Sequence, residues 1–249
     1  PWGQAQLSSL RRAWIVPGLG ALAASLGCLL LGVGDWLLGM HLTLCGFALV
    51  VTLRELGGPT WDRQQRKSES LWQSLIVSIT YGQRRFGGYV VHLGVIVIAA
   101  AIGISQTYRQ SVEVSLKPGE AFTLGPYRLT YEQTKATEEA HRFSVAAQVR
   151  IQKASETLGL LQPRLNYYPT QREPIGTPQV MTRVFEDVYL SLLSFERDGS
   201  IVGLKAFRNP MVPWIWWSLP LFPIGALIAL WPHRRRVASS VASAQSVSP

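Results

Sequence analysis

One imidazole stands where the chain otherwise offers little but carbon. His92 lies within Gly87-Gly88-Tyr89-Val90-Val91-His92-Leu93-Gly94-Val95-Ile96-Val97-Ile98, and after Arg84 and Arg85 no charge follows until Arg109. A polar side chain at membrane depth is costly unless it has a partner, so an intramembrane histidine marks a functional site by default. Two chemistries suit it. A neutral imidazole can ligate a transition metal such as iron, or it can hydrogen-bond a neighbouring helix and do nothing more. The residue alone leaves both open.

No other titratable group joins it convincingly. A transmembrane haem is commonly held by two imidazoles at similar depth on facing helices, and His41 is the other membrane histidine. At 1.5 Å per residue, His92 lies roughly 10 Å from one surface and His41 roughly 8 Å from the other. In a core of about 30 Å their depths then differ by about 12 Å. If His92 binds haem, its partner is expected from a segment or subunit not present here. Outside the bilayer, Glu138, Glu139 and His141 are adjacent in a polar loop, where solvation is the simpler account than a metal site with converging ligands. Glu186 and Asp187 are neighbours on an expected strand, so they point to opposite faces and make no catalytic dyad. Cys28 and Cys45 both fall in apolar spans, without CxxC or CxxCH spacing, which excludes a thioredoxin-like pair and covalent c-type haem attachment. Neither a phosphate-binding Gly-rich loop nor a nucleophile elbow occurs.

The elements that must position His92 follow from composition. Of 249 residues 47% are hydrophobic and 16% charged, against about 25% charged in soluble domains. The net charge of +9 sits in short clusters beside apolar runs, as topology signals do, so no nucleic-acid partner is expected. Four apolar stretches reach the roughly 20 residues that a bilayer needs. Two fall within residues 1–54, around a short turn at Asp35. The third covers 86–104 with His92, and the fourth covers 210–232, with Trp214, Trp216, Trp217 and Trp231 as interfacial anchors. Arg11-Arg12, the basic residues of 55–85, and Arg234-Arg235-Arg236 all face the cytoplasm at once if both termini do. Residues 55–85 are then a cytoplasmic loop whose Leu71, Trp72, Leu75, Ile76 and Ile79 recur at helical spacing. That helix either lies in the interface or packs on the bundle. The Ser/Ala-rich end, 233–249, is expected to be a disordered cytoplasmic tail. The chain opens on Pro1 with no signal-peptide pattern before the first span, so a piece of a longer protein is expected.

Residues 105–209 then lie on the periplasmic side, and their pattern changes to short alternating runs. These run through 111–116, 127–131, 143–151, 188–192 and 201–207, with turn signals at Lys117-Pro118-Gly119-Glu120 and Arg197-Asp198-Gly199-Ser200. Roughly seven strands in about a hundred residues read as a small sandwich or open barrel. The fold class expected is an α-helical integral membrane protein with an inserted all-β domain.

Four motifs in order carry a resemblance. Arg84-Arg85-Phe86-Gly87-Gly88-Tyr89-Val90-Val91-His92-Leu93-Gly94, then Gln162-Pro163-Arg164 with Tyr168-Pro169, then Asp187-Val188-Tyr189-Leu190, then Asn209-Pro210-Met211-Val212-Pro213-Trp214-Ile215-Trp216 resemble stretches of the CcmF family, the membrane subunits of the cytochrome c haem lyase. The resemblance runs from about Leu53 to Trp231 and implies a C-terminal part. It implies that His92 is an axial ligand of a membrane b-type haem, with a second ligand from a segment or subunit absent here. The implied role is to receive haem from a periplasmic haem chaperone and help attach it to apocytochrome c. The implied partners are the N-terminal part of the lyase, accessory thiol-reductase and apocytochrome-binding subunits, and plasma-membrane lipid. Gly94 would let a helix or macrocycle approach, and Arg84-Arg85 serve as positive-inside anchors before they serve haem propionates. The family's Trp-rich external segment and its flanking histidines are not in this sequence. The resemblance makes the chain a lyase subunit acting only within a complex, with catalytic residues unknown. The alternative is a non-enzymatic adaptor whose β domain docks a partner through a face carrying Arg164, Tyr167, Tyr168 and Arg172. A b-cytochrome electron-transfer subunit would need paired histidines at matched depth.

Overall fold

The computed structural model describes residues 7–231. The tail expected over 233–249, with His233 and Arg234-Arg235-Arg236, lies outside the described residues. Two compact units emerge, one of residues up to Val51 with Gly94–Leu219, the other of Thr52–Leu93 with the residues from Pro220 on.

The chain begins with helices α1 (Leu7–Leu30) and α2 (Trp36–Lys67). Asp35 starts α2, its carboxylate accepting the Leu38 N–H at 2.9 Å, as an N-cap residue does. Small residues then bring the two helices together. A Cβ on Gly46 would stand 2.6 Å from that of Ala24, and the Ser25 and Thr43 hydroxyls share a hydrogen bond of 2.9 Å. Such close approach and interhelical bonding drive helix association where water supplies no hydrophobic force.

α2 continues 13 residues beyond the expected boundary at residue 54, through Gly57, Gly58 and Pro59 to Lys67. Hydropathy marks where a lipid-facing surface ends; it does not say where helical hydrogen bonding stops. The helix ends where Ser68 turns to a φ of 50°. α3 (Leu71–Tyr81) opens on a capping box, with Ser70 Oγ accepting from the Gln73 N–H and Gln73 Oε1 accepting from the Ser70 N–H. This closes two otherwise orphaned donors. Leu71, Trp72 and Ile76 on it are exposed. α4 (Gln83–Tyr108) carries His92, and α5 (Val212–Ser218) and α6 (Leu221–Leu230) follow the β domain.

Among the described residues, three helical runs, Trp36–Lys67, Gln83–Tyr108 and Val212–Leu230, are long and apolar enough to cross a membrane. The expected first span is represented by a shorter apolar helix, Trp14–Leu30.

Between α4 and α5 the chain forms ten strands: β1 (Gln110–Leu116), β2 (Ala121–Leu124), β3 (Tyr127–Glu139), β4 (Arg142–Lys153), β5 (Glu156–Leu161), β6 (Arg164–Tyr167), β7 (Ile175–Thr177), β8 (Gln179–Thr182), β9 (Glu186–Phe195) and β10 (Val202–Pro210). One sheet has the order β1-β10-β9-β8; the other runs β2-β3-β4-β6-β7, with β5 also on β4. All pairs are antiparallel.

The core is what alternation dictates. Val188, Leu190 and Leu192 of β9 and Val202, Leu204 and Ala206 of β10 are buried, facing Leu129, Val149 and Ile151 of the other sheet. Each large aliphatic side chain so buried stabilises by about 1.5–3 kcal/mol. Tyr131 is fully buried and donates its hydroxyl to the Gly199 carbonyl at 3.1 Å. The fold is three apolar helices that could span a membrane plus an all-β sandwich. The expected seven strands become ten because β5 to β8 are short pieces around Pro163 and Pro178, with little alternation to read.

Candidate functional site

His92 stands on an exposed face of α4, and among the described residues its ring makes no hydrogen bond. Its neighbour is Tyr89, whose ring meets it edge-on with centroids 5.9 Å apart. Arg85, Tyr89 and His92 are spaced i, i+4, i+7 and so share one side of the helix. The first two are tied to α2. The Arg85 guanidinium pairs with Glu55, and the Tyr89 hydroxyl donates to the same carboxylate at 3.3 Å. Arg85 thus spends its charge on Glu55, which sets it as a helix-pair anchor ahead of a ligand for an anionic group.

Two adjacent glycines divide the helix surface beside His92. Gly87 is in backbone contact with α6: a Cβ there would run into the Gly225 carbonyl and lie 2.8 Å from the Ala229 nitrogen. The reverse holds at Gly225, where a Cβ would stand 2.6 Å from the Gly87 carbonyl oxygen and 2.7 Å from Val91 Cγ2. Gly88 has nothing within 4 Å of its would-be Cβ. It lies one turn before His92, the side toward which helical side chains lean. The helix surface one turn before His92 is therefore open at Gly88, with no side chain over it. Gly94, expected to let a helix or macrocycle approach, is buried, and two residues along a helix from His92 is more than half a turn.

The other candidates are placed elsewhere. His41 Nε2 donates to the Ala99 carbonyl at 2.8 Å. The carbonyl can only accept, so Nε2 holds the proton. His141 is exposed in the turn between β3 and β4. There Glu139 is taken by Arg142, through Nη2 at 2.8 Å and Nε at 2.9 Å, and this bond holds its carboxyl below the usual range. Cys28 and Cys45 are free thiols. No group of three or more His, Cys, Asp or Glu that could hold a metal ion occurs among the described residues.

Glu186 and Asp187 are turned to opposite faces, and their chemistry diverges accordingly. Burial opposes ionisation of Glu186, but the Tyr127 hydroxyl at 2.6 Å and the Arg208 guanidinium outweigh it and keep its carboxyl below the usual value. Tyr127 is pushed up to about 12 by burial and by that carboxylate. Asp187 is buried, with Oδ1 unpartnered, and burial raises it, opposed only by Thr182.

Of the expected docking residues, Tyr167 lies between Phe143 and Phe195, with centroids 6.1 and 6.3 Å away. Arg164 begins β6, and Arg172 lies exposed in the loop that follows it. The aromatic cluster joins β4, β6 and β9. Sequence reading misses Phe143 and Phe195 because nothing local relates positions from two different sheets.

Residues 107–210 match the family model described as the CcmF C-terminal beta-sandwich. The probable cytochrome c-type biogenesis protein NrfE of Escherichia coli (strain K12) is 25% identical over 184 residues, 73% of this chain and 33% of that protein. The cytochrome c-type biogenesis protein CcmF of Pseudomonas fluorescens is 26% identical over 152 residues, 61% of this chain and 23% of that protein. A solved structure of the cytochrome c heme lyase CcmF superposes with a TM-score of 0.69 at 26% identity, covering 93% of this chain and 36% of that one. The chain therefore spans about a third or less of the length of these relatives.

Proposed function

We propose, from the premise that this chain is a C-terminal region of the CcmF family, that it supplies one side of a membrane haem site in cytochrome c biogenesis, where His92 would hold the iron. The observation that carries the reading is the exposed imidazole, free of hydrogen bonds among the described residues, beside the open backbone at Gly88. A ring already bonded to a neighbouring helix would be packing; this one keeps a nitrogen lone pair to offer.

The residues fit one side of a haem. His92 would hold the iron from this side, and the tilt of its ring would be limited by the edge of Tyr89, itself tethered through Glu55 to α2. Gly88 would admit the macrocycle edge, while the Gly87–Gly225 contact keeps α4 fixed on its other side. A bound b-type haem supplies one-electron chemistry. The second ligand is expected from the part of the relatives' length that this chain does not span. On this reading both termini face the cytoplasm in the plasma membrane. The β sandwich is periplasmic, where a haem chaperone delivers haem for attachment to apocytochrome c.

The adaptor reading has one observation in its favour, the Phe143–Tyr167–Phe195 cluster, in which Phe143 and Tyr167 are exposed, since aromatic residues dominate protein-docking hot spots. A single experiment separates the two. The chain is co-produced with the polypeptide that supplies the rest of the relatives' length, and a reduced-minus-oxidised visible spectrum of the purified complex is recorded with and without His92→Ala. Loss of a b-type α-band in the variant supports the haem site. An unchanged spectrum, or no haem in either intact complex, rejects it and leaves the adaptor.

A further inference from the structure

The turn between β8 and β9, Arg183-Val184-Phe185, has an unusual composition for a hairpin tip. Such tips are the province of Gly, Asn, Asp and Pro. Here two large apolar side chains are left in the open, Val184 at 54% and Phe185 at 62% exposure, with Arg183 exposed beside them.

The tip is not loose. The Arg183 N–H donates to the Glu186 carbonyl at 2.9 Å and closes the turn. Three further contacts fasten it to the start of α5. The Met211 N–H donates to the Phe185 carbonyl at 2.6 Å. Trp214 Nε1–H donates to the Val184 carbonyl at 3.0 Å. The Phe185 and Trp214 rings stack, 6.1 Å apart with planes at 19°. Trp217 extends the same aromatic group, 5.9 Å from Trp214, and is 52% exposed.

Where α5 begins decides what this surface meets. Val212–Leu230 is a run long and apolar enough to cross a membrane, so its first turn falls at the level of the headgroups, where tryptophan is favoured. The backbone bonds hold the hairpin tip at that level. We propose that Arg183-Val184-Phe185 dips into the bilayer interface, making the β sandwich a membrane-docked domain as well as a tethered one. Val184 and Phe185 enter beside the Trp214 ring, and the Arg183 guanidinium stays among the phosphates, where a basic residue is attracted to anionic lipid. The occupant of this apolar surface is lipid. The inference rests on Val212–Leu230 spanning a membrane and is independent of whether His92 binds iron.

The test uses the full chain in vesicles of phosphatidylcholine and phosphatidylglycerol. A Cys28→Ser, Cys45→Ser background carries a nitroxide at Val184→Cys, at Phe185→Cys, or at Arg197→Cys in the turn at the other end of β9. Val184 bonds α5 through its backbone only, so its substitution leaves the tether in place. Collision rates with oxygen, which partitions into lipid, are compared with those of a water-soluble nickel chelate. The expected result is an oxygen-to-nickel ratio several-fold higher at 184 and 185 than at 197. Equal ratios at all three positions overturn the proposal, because the tip is then in water. Shielding from both reagents at 184 and 185 overturns it too, because another protein surface then covers the tip.

Discussion

Gly87 and Gly88 are adjacent, equally small and indistinguishable by composition, yet opposite responses to one added methyl group are expected. At Gly87 the new Cβ meets backbone on α6, 2.8 Å from the Ala229 nitrogen, where an ordinary contact begins at 3.4 Å. The helices must separate by at least the difference, about 0.6 Å, and neither neighbour is a flexible side-chain tip. Overpacking of this kind costs about 1–3 kcal/mol. At Gly88 nothing is displaced, and replacing glycine by alanine within a helix gains up to about 1 kcal/mol. The propensity gain is common to both positions, so Gly88→Ala and Gly87→Ala should differ by the overpacking term, about 1–3 kcal/mol. For a chain of this length that is a gap in unfolding midpoint on the order of 5 °C. The assay is thermal unfolding of the detergent-solubilised chain followed by near-ultraviolet dichroism. Gly88→Leu completes the set. It should insert and unfold like the parent, but should abolish the b-type haem band of the assembled complex, because its side chain fills the open surface one turn before His92. If Gly87→Ala is as stable as the parent, the α4–α6 contact has been misread. If Gly88→Leu retains full haem, the open strip beside His92 is not where a macrocycle sits.

Other outcomes can be checked with the same material. His92→Ala should stop c-type cytochrome maturation in cells while His141→Ala leaves it intact, read from covalently bound haem in membrane fractions at equal protein level. Glu186→Gln should cost about 1–2 kcal/mol, since a partly buried carboxylate with two donors is lost. Because the folded-state carboxyl of Glu186 is depressed, its stabilisation is present above the unfolded value and is lost as pH falls through the folded one, so the variant should flatten the acid limb of chemical denaturation. Asp187→Asn should act in the opposite sense. Its carboxyl is raised by burial, which destabilises the fold once the pH exceeds the unfolded value, so the variant should match or exceed parent stability at neutral pH. Tyr127, pushed up to about 12, contributes stability below its unfolded value near 10 that disappears as pH rises through the folded one. Ultraviolet titration of the phenolate should show a group lagging the other tyrosines, and Glu186→Gln should bring it down.

What could be read without coordinates follows the range over which each signal acts. β9 and β10 are legible because Val188, Leu190, Leu192 and Val202, Leu204, Ala206 alternate with polar neighbours, a period set within the strand itself. β7 is not: all three of its residues are exposed, and it exists only because Arg164 and Asn166 of β6 offer it a partner. The end of α2 escapes for a related reason, as its polar last turns are held by hydrogen bonds and by the Arg63–Glu69 pair at 2.8 Å, to which hydropathy is blind. The candidate site shows the same division. His92 announces itself by the cost of its own side chain in lipid. The residues that shape its surroundings carry no such mark, because Gly87 and Gly88 differ only in which side of α4 is already occupied. That is fixed by Gly225, 138 residues downstream of Gly87. Helix packing thus selects one glycine as a joint and its neighbour, one turn before His92, as an opening.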